Sequence, residues 1–125
     1  MKKAIFTLAI GDANPMYNAA LLGFKLYAEK VGADLIVSDQ FHYPINIENP
    51  QHTARPAWTE KLYIKELLKQ YDRVLYVDAD IIITPHAKNI FEQYDDLETI
   101  YMFNEGALLE RQPVLDKIFA IKSPL

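Results

Sequence analysis

The order of apolar runs along the chain predicts an α/β fold, a doubly wound and mostly parallel sheet. Three observations carry this reading. Strand-length apolar runs at Ala4–Ile10, Asp34–Ser38 and Arg73–Ile83 alternate with segments of helical character. The runs are apolar almost continuously, as parallel strands covered on both faces require. A β-α-β-α-β order closed by right-handed crossovers winds helices onto both faces of one sheet.

The first run breaks at Gly11-Asp12. Asn14 then has the chemistry of an N-cap, Pro15 that of a first helical residue, and Gly32 that of a helix stop after Lys30-Val31. Ala19, Ala20, Gly23, Leu26 and Tyr27 give that helix its expected buried face. The stretch from Asp39 to Ala57 holds three prolines and two histidines without periodicity and reads as a long surface loop. A second helix is expected from Trp58 to Tyr71, with Leu62, Leu67, Leu68 and Tyr71 as its buried stripe. After the third strand, Thr99–Phe103 reads as a fourth. About four strands are fewer than an open sheet usually has. A single domain over residues 1–125 is expected, either the N-terminal part of a larger one or an oligomer whose partner covers the open sheet edge.

Half of the residues are hydrophobic, enough for a genuine core at this length. The net charge of −4, from 17 acidic and 13 basic residues without a basic run, argues against nucleic acid as a partner. With no cysteine, disulfides and thiolate zinc sites are excluded. Met1-Lys2-Lys3 followed by an apolar run resembles a signal peptide only briefly, because the run stops at Gly11 without a small-residue cleavage site. No later segment has membrane length, so the expectation is a cytoplasmic protein with no membrane segment.

The sharpest local signal is Tyr76-Val77-Asp78-Ala79-Asp80, two carboxylates at the end of an apolar strand. In extended backbone, residues i and i+2 point to one side about 7 Å apart, so both carboxylates would converge on one ligand. At the carboxyl end of a parallel strand they would face the crevice where open α/β sheets bind ligands. Capping of loops or helices is the bland alternative, but two close carboxylates repel each other unless a partner neutralises them. Oxygen-only ligands suit Mn²⁺ or Mg²⁺, ions that commonly sit between carboxylates and a substrate's phosphates.

Together with the preceding Tyr71-Asp72-Arg73-Val74-Leu75, this segment resembles the Asp-x-Asp strand of GT-A-fold glycosyltransferases, most closely the glycogenin-like glycosyltransferase family eight. The resemblance implies a Rossmann-like nucleotide-diphospho-sugar transferase fold. It also implies Asp78 and Asp80 as metal ligands, Ala79 between them at the nucleotide, and Mn²⁺ or Mg²⁺ as cofactor. The donor would be a UDP-hexose, transferred with retention to a sugar, protein or lipid acceptor. Phe6-Thr7-Leu8 with Asp12 and Tyr17 resembles the first strand and turn that hold the base and ribose, which puts Leu8, Asp12 and Tyr17 among the binding residues. Thr59–Leu62 resembles the helix whose lysine reaches the sugar nucleotide, here Lys61, and Arg55 is a further candidate in the loop before it. Phe103-Asn104-Glu105-Gly106 resembles a segment that contacts the donor sugar, which implicates Asn104 and Glu105. The family's later metal-binding histidine segment has no counterpart, and no catalytic residue is assigned.

Each lesser residue also has a plain reading, with Lys61 and Arg55 as solvated cations and Tyr17 as a ring packed on the sheet. His42, His52 and His86 lack ligand spacing and read as surface residues. Two other functions compete. A haloacid-dehalogenase-type phosphatase also places Asp-x-Asp after an apolar strand, but in the first strand and before a Gly-Thr turn, not before Ile81-Ile82-Ile83. The other is a non-catalytic module that binds a nucleotide sugar or metal.

Overall fold

The computed structural model describes residues 1–10, 15–43, 57–102, 112–113 and 116–117. It is an α/β structure built on a three-stranded, all-parallel sheet of order β2-β1-β3. The strands are β1 (Lys3–Leu8), β2 (Asp34–Ser38) and β3 (Arg73–Tyr76). Registers run from Ala4 opposite Asp34 to Leu8 opposite Ser38, and from Lys3 opposite Arg73 to Phe6 opposite Tyr76.

The central strand decides what lies on each face, because successive side chains point to opposite sides. Ile5 packs into a core with Tyr27, Ala28 and Val31 of helix α1 (Pro15–Val31) and with Phe91. Phe6 points the other way, with its ring 6.0 Å from that of Tyr63 and 5.8 Å from that of Tyr76. Tyr63 ends a 3₁₀ segment, Ala57–Tyr63, which runs directly into a single α-turn, α2 (Ile64–Leu67). Ala4, Ile5, Phe6 and Thr7 are consequently without exposed surface.

Helix α1 ends as its sequence predicts. Gly32 has φ 68°, which only glycine adopts without strain, and Gly32 N and Ala33 N donate to Glu29 O and Ala28 O at 3.4 and 2.9 Å. This is the Schellman pattern, which satisfies carbonyls that a helix end would otherwise orphan. The buried face differs from the expected one. Ala20, Phe24, Tyr27, Ala28 and Val31 are buried, whereas Ala19 is exposed and Leu26 is 59% exposed. Phe24 is fully buried and lies about 200° round the helix from Leu26, and Leu26 borders a shallow groove beside Gly23, Ile83 and Pro85. A Cβ on Gly23 would stand 3.4 Å from Ile83 O, so this helix and the 83 segment approach at a residue without a side chain.

Four further expectations are corrected. The first strand stops at Leu8, two residues early, although Ala9 N still donates to Ser38 O at 2.9 Å. The third stops at Tyr76, short of Ile83, because the chain turns at Asp78, where Ile81 N donates back to Asp78 O at 3.3 Å, and this carries Ile81-Ile82-Ile83 away from β1 whatever their β propensity. Residues 99–102 form no strand, and Ile100 and Met102 are 88% and 86% exposed; Phe103 and the Asn14 cap lie outside the described residues. In the expected second helix only Leu67 of the stripe is buried; Leu62 and Leu68 are 60% and 52% exposed, and Tyr71 is half-buried. Among the described residues, no helix is long and apolar enough to cross a membrane.

The segment after β3 is held on α1 by polar ties. Tyr27 Oη donates to Lys88 O at 2.7 Å and accepts from Ile90 N at 3.0 Å, while Lys30 Nζ donates to Pro85 O at 3.1 Å and Ala87 O at 2.8 Å. Asn89 then caps α3 (Ile90–Gln93) by accepting from Phe91 N, and Arg73 donates to Phe91 O and Tyr94 O. Removing the one hydroxyl in Tyr27→Phe takes the partner from a part-buried donor, Ile90 N, and acceptor, Lys88 O. The variant should lose about 1–3 kcal/mol of stability, read as a lower urea midpoint at unchanged m value. An unshifted midpoint would show that this hydroxyl does not hold the segment.

Candidate functional site

Because all three strands are parallel, their carboxyl ends meet on one side of the molecule. The chain leaves β1 for β2 on one flank and then crosses to β3 on the other, so β1 and β3 border the point where the winding reverses. That point is where open α/β sheets leave a crevice for a ligand.

Three side chains converge beside it. Tyr76 and Asp78 lie two residues apart on the side of the sheet that carries Phe6, and Tyr76 Oη donates to Asp78 Oδ1 at 2.8 Å. Lys61 Nζ stands 4.0 Å from the same Asp78 oxygen and 5.0 Å from the centre of the Tyr76 ring. The Lys61 and Asp78 side chains keep 48% and 56% of their surface exposed. An exposed ion pair contributes at most about 1 kcal/mol, so stability does not explain the arrangement. Burial, the bond to Asp78, and the charges of Asp78 and Asp80 together push the Tyr76 phenol well above its ordinary value of 10.0. Tyr76 therefore stays a protonated donor that fixes the Asp78 carboxylate.

The backbone of the motif is not extended. After Val77 N donates to Phe6 O at 3.0 Å, the chain turns, and Ile81 N donates back to Asp78 O at 3.3 Å. Asp78 and Asp80 are thus the first and third residues of a turn, with Ala79 buried between them at 5% exposure and both aspartates exposed. They remain together, by turn geometry and not by the strand pleat, and Asp80 lies close enough for its charge to act on Tyr76. One distinction from a phosphatase weakens, since no strand continues into Ile81-Ile82-Ile83, but the motif still follows an edge strand and not the first strand. Among the described residues no group of three or more His, Cys, Asp or Glu side chains is gathered for a metal. Two carboxylates on an exposed turn fit Mn²⁺ or Mg²⁺ in the mode where phosphate and water complete the shell.

Leu8 closes β1 at the same carboxyl end, half-buried. Tyr17 lies in the first turn of α1, also half-buried. Asp12, Arg55, Asn104 and Glu105 lie outside the described residues.

A second cluster was not anticipated. Glu60, adjacent to Lys61, has no exposed side-chain surface. Its Oε1 accepts from His42 N at 2.7 Å and Tyr43 N at 2.9 Å, and its Oε2 lies 2.9 Å from His42 Nδ1. The His42 ring stacks on Tyr63, with centroids 4.2 Å apart and planes 12° apart. His42 is exposed, as expected, but it is not a mere surface residue, because it is tied to a buried carboxylate. Burial alone would raise the Glu60 pKa; the backbone N–H groups of Tyr43 and His42 and the His42 ring outweigh it and hold the carboxyl below its ordinary 4.5. No spacing rule links His42 to Glu60, although a glutamate among helix positions otherwise read as core hinted at a buried carboxylate. Tyr76 was more legible, sharing its side of the strand with Asp78 two residues on.

No protein-family model, curated protein or solved structure matches this chain.

A depressed carboxyl stabilises the fold fully above the ordinary value and loses that contribution as pH falls through the lower folded value. For Glu60 the loss should therefore fall below pH 4.5. Denaturation at successive pH values should show a steeper decline below that point in the wild type than in Glu60→Gln, which lacks the titrating group. Parallel curves would show that the carboxylate form of Glu60 is not what the fold uses.

Proposed function

We propose that the chain is the nucleotide-sugar-binding part of a metal-dependent glycosyltransferase of the Rossmann-like GT-A type, which transfers a hexose from a UDP-sugar to an acceptor with retention. The observation that carries this reading is the meeting of Asp78 with Lys61 and Tyr76 at the carboxyl end of β3, beside the switch point, with Asp80 two residues on in the same turn. Acidic and basic groups that are exposed and close together suit a ligand that brings both a cation and negative phosphates. The resemblance of the Asp-x-Asp segment to the glycogenin-like family points the same way.

In this reading Mn²⁺ or Mg²⁺, held by Asp78 and Asp80, supplies positive charge to the diphosphate. The chain's own residues do the positioning. Tyr76 holds the Asp78 carboxylate in one orientation through its 2.8 Å bond. Lys61, resting over the Tyr76 ring, is the cation available to a phosphate oxygen once Asp78 turns to a metal. The buried Ala79 keeps the turn against the sheet, so both aspartates are presented outward.

Asp78→Asn and Asp80→Asn should each remove most Mn²⁺-dependent UDP binding in calorimetry while the folded signal is retained, because each deletes charge at constant shape. Undiminished Mn²⁺-dependent affinity in both would sink the metal assignment. Lys61→Ala should weaken UDP binding by about 1–3 kcal/mol, the range for a hydrogen bond to a charged group; unchanged affinity would return Lys61 to the solvated surface. Incubation with UDP-glucose, Mn²⁺ and sugar or peptide acceptors, read by mass spectrometry, separates a transferase from a module that binds without turnover.

A further inference from the structure

The proposed site leaves the Glu60–His42 cluster unused. A carboxylate without solvent is costly unless donors surround it, and Glu60 meets that need with two backbone N–H groups. Those two bonds suffice to pin the chain after β2. The third, to the His42 ring, does something more. Ionised Glu60 accepts only, so Nδ1 at 2.9 Å carries a hydrogen, and in the neutral form of the ring the lone pair is left on Nε2. The ring's orientation is also set, since the Tyr63 stack fixes its plane.

Serine, histidine and glutamate lie together here, yet they form no nucleophile relay. Ser38 Oγ is 3.4 Å from the same Nδ1 that Glu60 occupies, and it donates to Gln40 O at 3.1 Å. A relay needs the serine on the other nitrogen. Among the described residues both polar contacts of the His42 ring thus fall on Nδ1, and 41% of the side chain is exposed. A carboxylate that fixes tautomer and orientation while the second nitrogen stays available is how proteins aim an imidazole at a ligand.

The position matches. His42 follows the carboxyl end of β2 as Asp78 follows that of β3, and the rings of His42, Tyr63, Phe6 and Tyr76 run across one face between them. Two strand spacings, about 10 Å, separate β2 from β3. A ligand whose diphosphate lies at Asp78 and Lys61 has to span about that distance for one of its non-phosphate ends to meet His42. A lone pair on Nε2 offers nothing to a phosphate oxygen, but it accepts from a hydroxyl or an imide N–H.

We infer that His42, held by Glu60 and Tyr63, is a ligand-binding residue of the crevice whose Nε2 accepts a hydrogen bond from a hydroxyl or imide N–H of the diphosphate ligand's nucleoside or sugar. This rests on the nucleotide-sugar reading of Asp78 and Asp80.

The test compares pyrophosphate, UDP and UDP-glucose, each with Mg²⁺, on wild-type protein and His42→Phe, which keeps a ring against Tyr63. The variant should bind UDP or UDP-glucose about tenfold more weakly and pyrophosphate equally well. Loss already with UDP places the contact on the nucleoside; loss only with UDP-glucose places it on the sugar. Should His42→Phe fail to fold, the ¹⁵N signal of Nε2 in wild-type protein gives the same answer, moving with UDP or UDP-glucose and not with pyrophosphate. Wild-type protein that takes up none of the three probes overturns the reading of Asp78 and Asp80, and this inference with it. Wild-type protein that binds UDP-glucose with an unmoved Nε2 signal overturns this inference alone, as does a His42→Phe protein of full affinity or one weakened equally toward pyrophosphate.

Discussion

Strand β1 is the constraint from which the rest follows. It is paired on both edges and covered on both faces, so its backbone groups, its side chains and the direction of its neighbours are all determined together. Parallel pairing on both edges forces each connection to travel the length of the sheet before it returns. Every strand then delivers its last residues to the same end. The acidic turn after β3, the residues after β2 and Leu8 of β1 share that end for this reason and through no attraction among themselves.

Two carboxylates near that end show how environment divides the work. Glu60 is enclosed, receives three hydrogen bonds and is held ionised below its usual pKa. Nothing remains on it for a ligand, and its effect is exerted through what it holds. Asp78 is more than half exposed, with one phenol donor and a loosely placed ammonium group at 4.0 Å. The weak pairing leaves Asp78 open to other partners, since an exposed ion pair at that distance contributes little.

The fold was legible wherever one physical signal dominated. Pro15 and Gly32 bracket α1 because fixed φ and positive φ are properties of single residues, and Asp34–Ser38 forms its strand with both ends as expected. Strand ends failed where pairing decided them, since Ile81-Ile82-Ile83 carries strand propensity but lies beyond the reach of β1. Of the site, the two aspartates were readable, because charges that interrupt an apolar strand need an explanation, whereas Lys61 was named only through the resemblance of Thr59–Leu62. That Tyr76 meets Asp78 follows from strand parity, and Asp80 lies near them through the turn. The bond from His42 to Glu60 was beyond reach, for it joins residues 18 positions apart across a loop without pattern.

The 3₁₀ form of Ala57–Tyr63 resolves the largest disagreement and ties both clusters together. An α-helical reading of Trp58–Tyr71 puts Leu62 in a stripe with the later leucines. A 3₁₀ segment has three residues per turn, so residues three apart align. Glu60 and Tyr63 then fall in one row, and that row meets His42 by hydrogen bond and by ring stack. Lys61 is turned a third of the way round the axis, toward Tyr76 and Asp78, and Leu62 a further third, where it is 60% exposed. One short segment therefore presents its buried carboxylate and ring to the chain after β2 and its ammonium group to the turn after β3. Unwinding it into a regular α-helix would shift these directions relative to one another, and either His42 or Asp78 would lose its partner. The tight winding is what lets neighbouring residues, Glu60 and Lys61, face different segments, the chain after β2 and the turn after β3.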